Sequence, residues 1–165
     1  MAGFPWACPW EYVKRRLDAI PLPEDAVLTP LPMEDDISSL CAILLDDDYY
    51  DFLKAGKTKV AGITVLDAAD LIPFKAKAWI DLSDRKARGE HVDSRDIRKH
   101  KNDVFRLTEL IDSSIPIPAP ASVRDDIHIF VSRMAGEEVD LKQLGIVGRS
   151  KEQILQELED MYQAG

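Results

Sequence analysis

Cysteine is nearly absent from this 165-residue chain. Cys8 and Cys41 lack any C-x-x-C spacing, so they form neither a disulfide framework nor a thiolate metal site. A reducing, cytoplasmic setting is therefore the default expectation. Histidine is scarce too: His91, His100 and His128 have no carboxylate or Cys partner at metal-ligand spacing, which argues against structural zinc. Long apolar runs are missing, the longest being short stretches such as Cys41–Leu45, so nothing reads as a membrane span. The opening MAGFPWACPW has no basic region leading into an apolar core and does not read as a secretory signal. No Ser-His-Asp or Cys-His arrangement is legible. Gly145 and Gly148 in LGIVGRS lack the G-K-[ST] ending of a phosphate loop. There is no internal repeat and no low-complexity segment. Cations are outnumbered overall, and a net charge of −9 argues against general DNA binding. Local basic contact with a nucleotide or an RNA end stays open.

What remains is one domain's worth of chain, 45% hydrophobic, with mostly helical patterning. Trp10 to Ile20 reads either as a helix or, over Trp10–Val13, as a strand. Pro21, Pro23, Pro30 and Pro32 hold an extended stretch around Ala26-Val27-Leu28. A helix is expected to begin near Asp35 or Asp36, with Ile37, Leu40, Cys41, Leu44 and Leu45 as its stripe and Gly56 at its end. Asp46-Asp47-Asp48 could suggest a cation site. Neighbouring helical positions diverge by about 100°, however, so a surface acidic patch with Tyr49 and Tyr50 packed inward is the better reading. Lys57–Val60 and Ile63–Leu66 flank Ala61-Gly62 and read as a hairpin. Asp67 should cap the next helix, whose stripe is Leu71, Phe74, Ala78, Trp79 and Leu82, with a kink or restart at Pro73. Asp93 or Ser94 should cap a third helix carrying Ile97, the Lys101 stem, Val104, Leu107 and Leu110/Ile111. Ser113–Pro120, SSIPIPAP, reads as an extended spacer. Ser122 should cap a helix through Met134. Ser150 with Gln153 is a capping box opening a last helix with Ile154, Leu155, Leu158, Met161 and Tyr162 buried.

Charge is distributed unevenly along this pattern. Between Lys75 and Arg106 ten Lys/Arg face six Asp/Glu, net +4 within a chain of −9. Positive charge gathered on neighbouring helices suits an anion such as phosphate; the plainer reading is a solvated face of paired charges. On its helix, Asp103 shares a face with Lys99 and Leu107. It either pairs with Lys99 at the surface or turns inward toward Lys75 or Lys77, and the inward placement is preferred.

From about Pro23 to Leu110 the chain resembles the nucleotidyltransferases of the abortive-infection, AbiEii-like toxin type. The resemblance rests on LPEDAVLTPLP, SSLCAILLDDDYYDFL, VAGITVLDAADLIPFKAKAWIDL and EHVDSRDIRKHKNDVFRL. It implies a phage-defence, toxin-like lineage in which a hairpin feeds a helix whose Lys contacts nucleotide phosphates, and a later helix presents an Asp beside the site. Lys75 or Lys77 falls at the first position and Asp103 at the second, with Lys99 as a further phosphate contact. The Gly-Ser motif and paired aspartates that hold two Mg²⁺ in such proteins do not occur in this sequence; at most Glu11 stands where the third carboxylate would be. The chain thus resembles the C-terminal part of a nucleotidyltransferase, and no metal ligand is assigned.

The expected fold is α+β and mostly helical, with helices packed on a small antiparallel sheet or hairpin that includes segments near 10–14 and 26–31. The organisation expected is a partial nucleotidyltransferase-like core over 1–112, a proline-rich linker over 113–121 and a helical segment over 122–165. Mg²⁺ and a nucleoside triphosphate follow only if the family activity is kept. Catalysis by the chain alone is not expected, so a partner protein or a second copy would complete it. An open sheet edge near Trp6, Trp10 and Tyr12 would favour self-association. The alternative is a non-catalytic α-helical interaction module.

Overall fold

The computed structural model of the chain describes residues 46–163. The order is α1 (Asp47–Ala55), β1 (Lys57–Val60), β2 (Ile63–Leu66), α2 (Ala68–Ala87), α3 (Ser94–Leu107), a 3₁₀ turn (Thr108–Leu110), α4 (Ala121–Met134) and α5 (Lys151–Gln163). The fold is α+β and mostly helical, with one two-stranded antiparallel sheet among the described residues. The expected segments near 10–14 and 26–31, together with Glu11, Cys8 and Cys41, lie outside them.

Helix starts follow local chemistry. Asp46, in extended backbone, accepts from the N–H groups of Asp48 and Tyr49 at 2.9 and 3.3 Å and caps α1. Of the helix expected from Asp35 or Asp36 to Gly56, the part before Asp46 lies outside the described residues; α1 itself begins at Asp47, after the extended backbone of Asp46. Asp67 and Asp93 cap α2 and α3. Ser150 and Gln153 exchange hydrogen bonds at 2.8 and 3.2 Å as a capping box for α5. Ser122 does not cap α4: the helix starts at Ala121 behind Pro120, and the Ser122 hydroxyl donates to Asp48 at 2.8 Å, joining α4 to α1.

The turn between the strands has positive φ at both Ala61 (51°) and Gly62 (83°), the type I′ geometry that matches strand twist. Register pairs Thr58 with Val65 and Val60 with Ile63. Nearly every hairpin residue is exposed. Among the described residues the helices pack on one another rather than on this hairpin, which does not by itself serve as the expected helix-bearing sheet. Two short strands present too little inward surface to seat a helix layer. Gly56, just before β1, is held to a small residue by close approach, since a Cβ there would run into the Asp70 carboxyl.

α2 packs along α3, and α4 packs against both α2 and α5. One hydrophobic core runs through them, from Tyr49 and Phe52 through Phe74, Trp79, Phe105 and Phe130 to Leu158 and Tyr162. Both flanks of the proline-rich segment contribute to it, and Ile117 N–H donates to Met161 O at 2.8 Å. All five apolar positions expected on α5 are buried. α3 gives way to the 3₁₀ turn after Leu107, so Leu110 points outward at 72% exposure.

Pro73 does not break α2, which runs unbroken from Ala68 to Ala87. Its missing N–H would have served the carbonyl of Ala69, four residues back. The Tyr162 hydroxyl of α5 donates to that carbonyl instead. A long-range contact thus satisfies the acceptor that the proline frees, and the expected restart does not occur.

Candidate functional site

Lys75 and Lys77 stand two apart on α2, so their side chains leave the helix about 200° apart. Both are half-buried, and each is drawn to a carboxylate on a different neighbouring helix. Lys75 Nζ meets Asp103 Oδ2 of α3 at 3.0 Å, with the two side chains 24% and 25% exposed. Lys77 Nζ meets Asp126 of α4 at 2.9 Å to Oδ1 and 2.8 Å to Oδ2. The two lysines do not converge on one anion.

Asp126 is 7% exposed and also accepts from the Tyr49 hydroxyl of α1 at 3.0 Å. One carboxylate thereby ties α1, α2 and α4 together. Burial, and after it the Asp126 charge, holds the Tyr49 phenol far above its usual range. Tyr50 does not share this inward placement and stays at the surface. The acidic run Asp46-Asp47-Asp48 is accounted for in part by the cap that Asp46 forms and the hydroxyl that Asp48 accepts from.

The Asp103 carboxylate is more exposed than that of Asp126, 25% against 9%, while the Lys77 side chain, at 37%, is more exposed than that of Lys75 at 24%. An ammonium has three N–H donors, so a lysine held by one carboxylate keeps donors for a further oxygen. Lys99 lies on the exposed side of α3, one turn before Asp103. The structure brings together Lys75 and Asp103, places Lys77 in a separate network, and does not extend to Glu11. Among the described residues no group of three His, Cys, Asp or Glu could hold a metal ion. No helix among them is long and apolar enough to cross a membrane.

Sequence reasoning missed Asp126, and it placed Tyr49 inward without giving it this carboxylate partner. A signal was present: on α4, Val123, Ile127, Phe130 and Met134 are buried, and Asp126 falls among them at helical spacing. A carboxylate on an apolar stripe needs partners, which here come from α1 and α2.

No protein-family model, curated protein or solved structure matches this chain.

Proposed function

We propose that the chain is the nucleotide-side part of a nucleotidyltransferase-type protein, in which Lys75 contacts nucleotide phosphate and Asp103 holds its ammonium in place. The observation that carries this reading is the 3.0 Å Lys75–Asp103 contact across α2 and α3, left about one-quarter open on each side. It joins the two positions that the sequence resemblance assigns to one site. A carboxylate fixes a flexible lysine stem in one geometry, and the remaining donors can reach phosphate oxygens as a point charge. Phosphoryl transfer also requires metal ions held by carboxylates, which neutralise charge and align the displacement. In this proposal those carboxylates come from another segment or another chain, so these helices bind and orient without transferring.

The test is incubation of the purified chain with labelled nucleoside triphosphates, Mg²⁺ or Mn²⁺, and a pool of RNA or cell lysate. The expected outcome is no label transfer, with salt-sensitive nucleotide affinity no better than about −5 to −6 kcal/mol. Robust transfer that disappears in Lys75→Ala would contradict the incomplete-site reading. Absence of any nucleotide-dependent change in melting temperature would favour a non-catalytic interaction module.

A further inference from the structure

α3 carries a second feature on the side turned away from the core. Arg95, Arg98, Asn102 and Arg106 recur at i, i+3, i+7 and i+11, which places them on one stripe about 16 Å long. The opposite side of the helix is closed off by buried His100 and Val104. Arg95, Arg98 and Arg106 are exposed, and none makes an ion pair with any described residue. Most other cations of α2 and α3 are engaged: Lys75, Lys77, Arg85 and Lys101 have carboxylate partners, as does Arg88 just past the end of α2.

Along one flank of the stripe, Arg98 and Asn102 form a wall of a cleft of about 630 Å³. Its other wall is the segment between α4 and α5. Val139 and Leu144, both partly buried and packed on the core, supply apolar surface there. Glu138 and Asp140 of that segment and Glu152 of α5 rim the cleft with no ion-pair partner among the described residues, while the lining cations Lys101 and Lys151 are held by Glu137 and by main-chain carbonyls of residues 134–138.

We infer that this ridge and cleft form a docking surface for an acidic, amphipathic polypeptide segment. Guanidinium forks at helical spacing match carboxylates repeated at the same spacing on a partner helix. An apolar side chain of that segment would enter the cleft over Val139 and Leu144. The acidic rim selects against a nucleic acid, whose unbroken row of phosphates would lie against Glu138, Asp140 and Glu152. A peptide carries negative charge only where the arginines stand, and leaves neutral or basic residues opposite the rim. This surface is separate from the Lys75–Asp103 contact and does not depend on the reading given to that pair.

Fluorescence anisotropy with synthetic labelled probes tests the inference. The probes are a short peptide with Glu at helical spacing and Leu on the adjoining face, its Lys-for-Glu counterpart, its Ala-for-Leu counterpart, and a single-stranded oligonucleotide of equal charge. The acidic amphipathic peptide should bind, weaken as salt rises, and lose more than about tenfold in affinity to the Arg98→Glu/Arg106→Glu protein. The Ala-for-Leu probe should bind more weakly and the Lys probe should not bind. A Lys59→Glu change on the exposed hairpin should leave binding unaltered, and circular dichroism confirms that both variants fold. Tighter binding of the oligonucleotide than of the peptide would overturn the inference. So would failure of the acidic peptide to bind, or equal binding to the Arg98→Glu/Arg106→Glu protein.

Discussion

Lys77 with Asp126 and Lys75 with Asp103 are both lysine–aspartate pairs between α2 and a neighbouring helix, yet their surroundings differ. The Asp126 side chain keeps 9% of its exposure and the Asp103 side chain 25%. Asp126 also binds a phenol buried to 1% exposure, whereas Asp103 has no second side-chain partner beyond Lys75 among the described residues. A carboxylate withdrawn from water must be satisfied on every side, so Asp126 belongs to the scaffold. A carboxylate still reached by water can hold a lysine and leave that lysine available to a ligand. Under the proposed function, identical residue pairs serve stability in one place and ligand binding in the other, according to the burial of the carboxylate.

Replacing Asp126 by Ala should have the largest effect. It strands the Tyr49 hydroxyl in the core and leaves Lys77 to turn toward water, at a cost of about 3 kcal/mol. Urea denaturation measures this, and a loss below about 1 kcal/mol would remove the distinction between the pairs.

Alkali probes the same network from the phenol side. Tyr49 and Tyr162 have folded-state pKa values raised above the usual one, chiefly by burial. Their contribution is therefore fully present below about pH 10 and falls as the unfolded chain ionises first above it. Stability should drop by up to about 1.4 kcal/mol per pH unit for each tyrosine there, and Tyr49→Phe should remove one share of that slope. Denaturation midpoints collected from neutral pH to above pH 10 check this, and a slope that Tyr49→Phe leaves untouched would contradict it.

Asp103→Ala should cost less than Asp126→Ala, about 1–2 kcal/mol. That value lies between an exposed ion pair and a fully buried one, because both side chains still meet water. A loss equal to that of Asp126→Ala, measured by the same urea curves, would make both pairs structural.

The smallest of the stability effects concerns another long-range tie of α2, from Tyr162 to the Ala69 carbonyl. Tyr162→Phe should cost about 1 kcal/mol by leaving the Ala69 carbonyl without its phenol donor. The loss should shrink in a Pro73→Ala background, where a restored backbone N–H serves that carbonyl. A double-mutant cycle showing additive losses would rule out the link between the proline and the tyrosine.

Much of the local structure was legible in sequence. The hairpin, its two-residue turn, the Asp67 and Asp93 caps, the Ser150–Gln153 box and the α5 stripe depend on neighbours within a few residues, where spacing carries the information. The misreadings share a different cause. Ser122 serves Asp48 instead of its own helix, Pro73 is accommodated by Tyr162, and Lys77 is claimed by Asp126, each through a partner far along the chain. Periodicity says which face a residue occupies but not which helix it will meet. For the candidate site, Asp103 turned toward Lys75 or Lys77 is the sequence expectation, whereas the choice of Lys75 and the separation of Lys77 follow only from the packing of α3 and α4 on α2.

The most direct test of the central distinction is titration of the folded chain with a nucleoside triphosphate, followed by calorimetry, comparing wild type, Lys75→Ala and Lys77→Ala. Lys75→Ala should weaken binding by about tenfold or more, while Lys77→Ala, once shown to be folded, should bind as the wild type does. Equal weakening in both variants, or undiminished binding by Lys75→Ala, would contradict the assignment of Lys75 to the ligand and Lys77 to the scaffold.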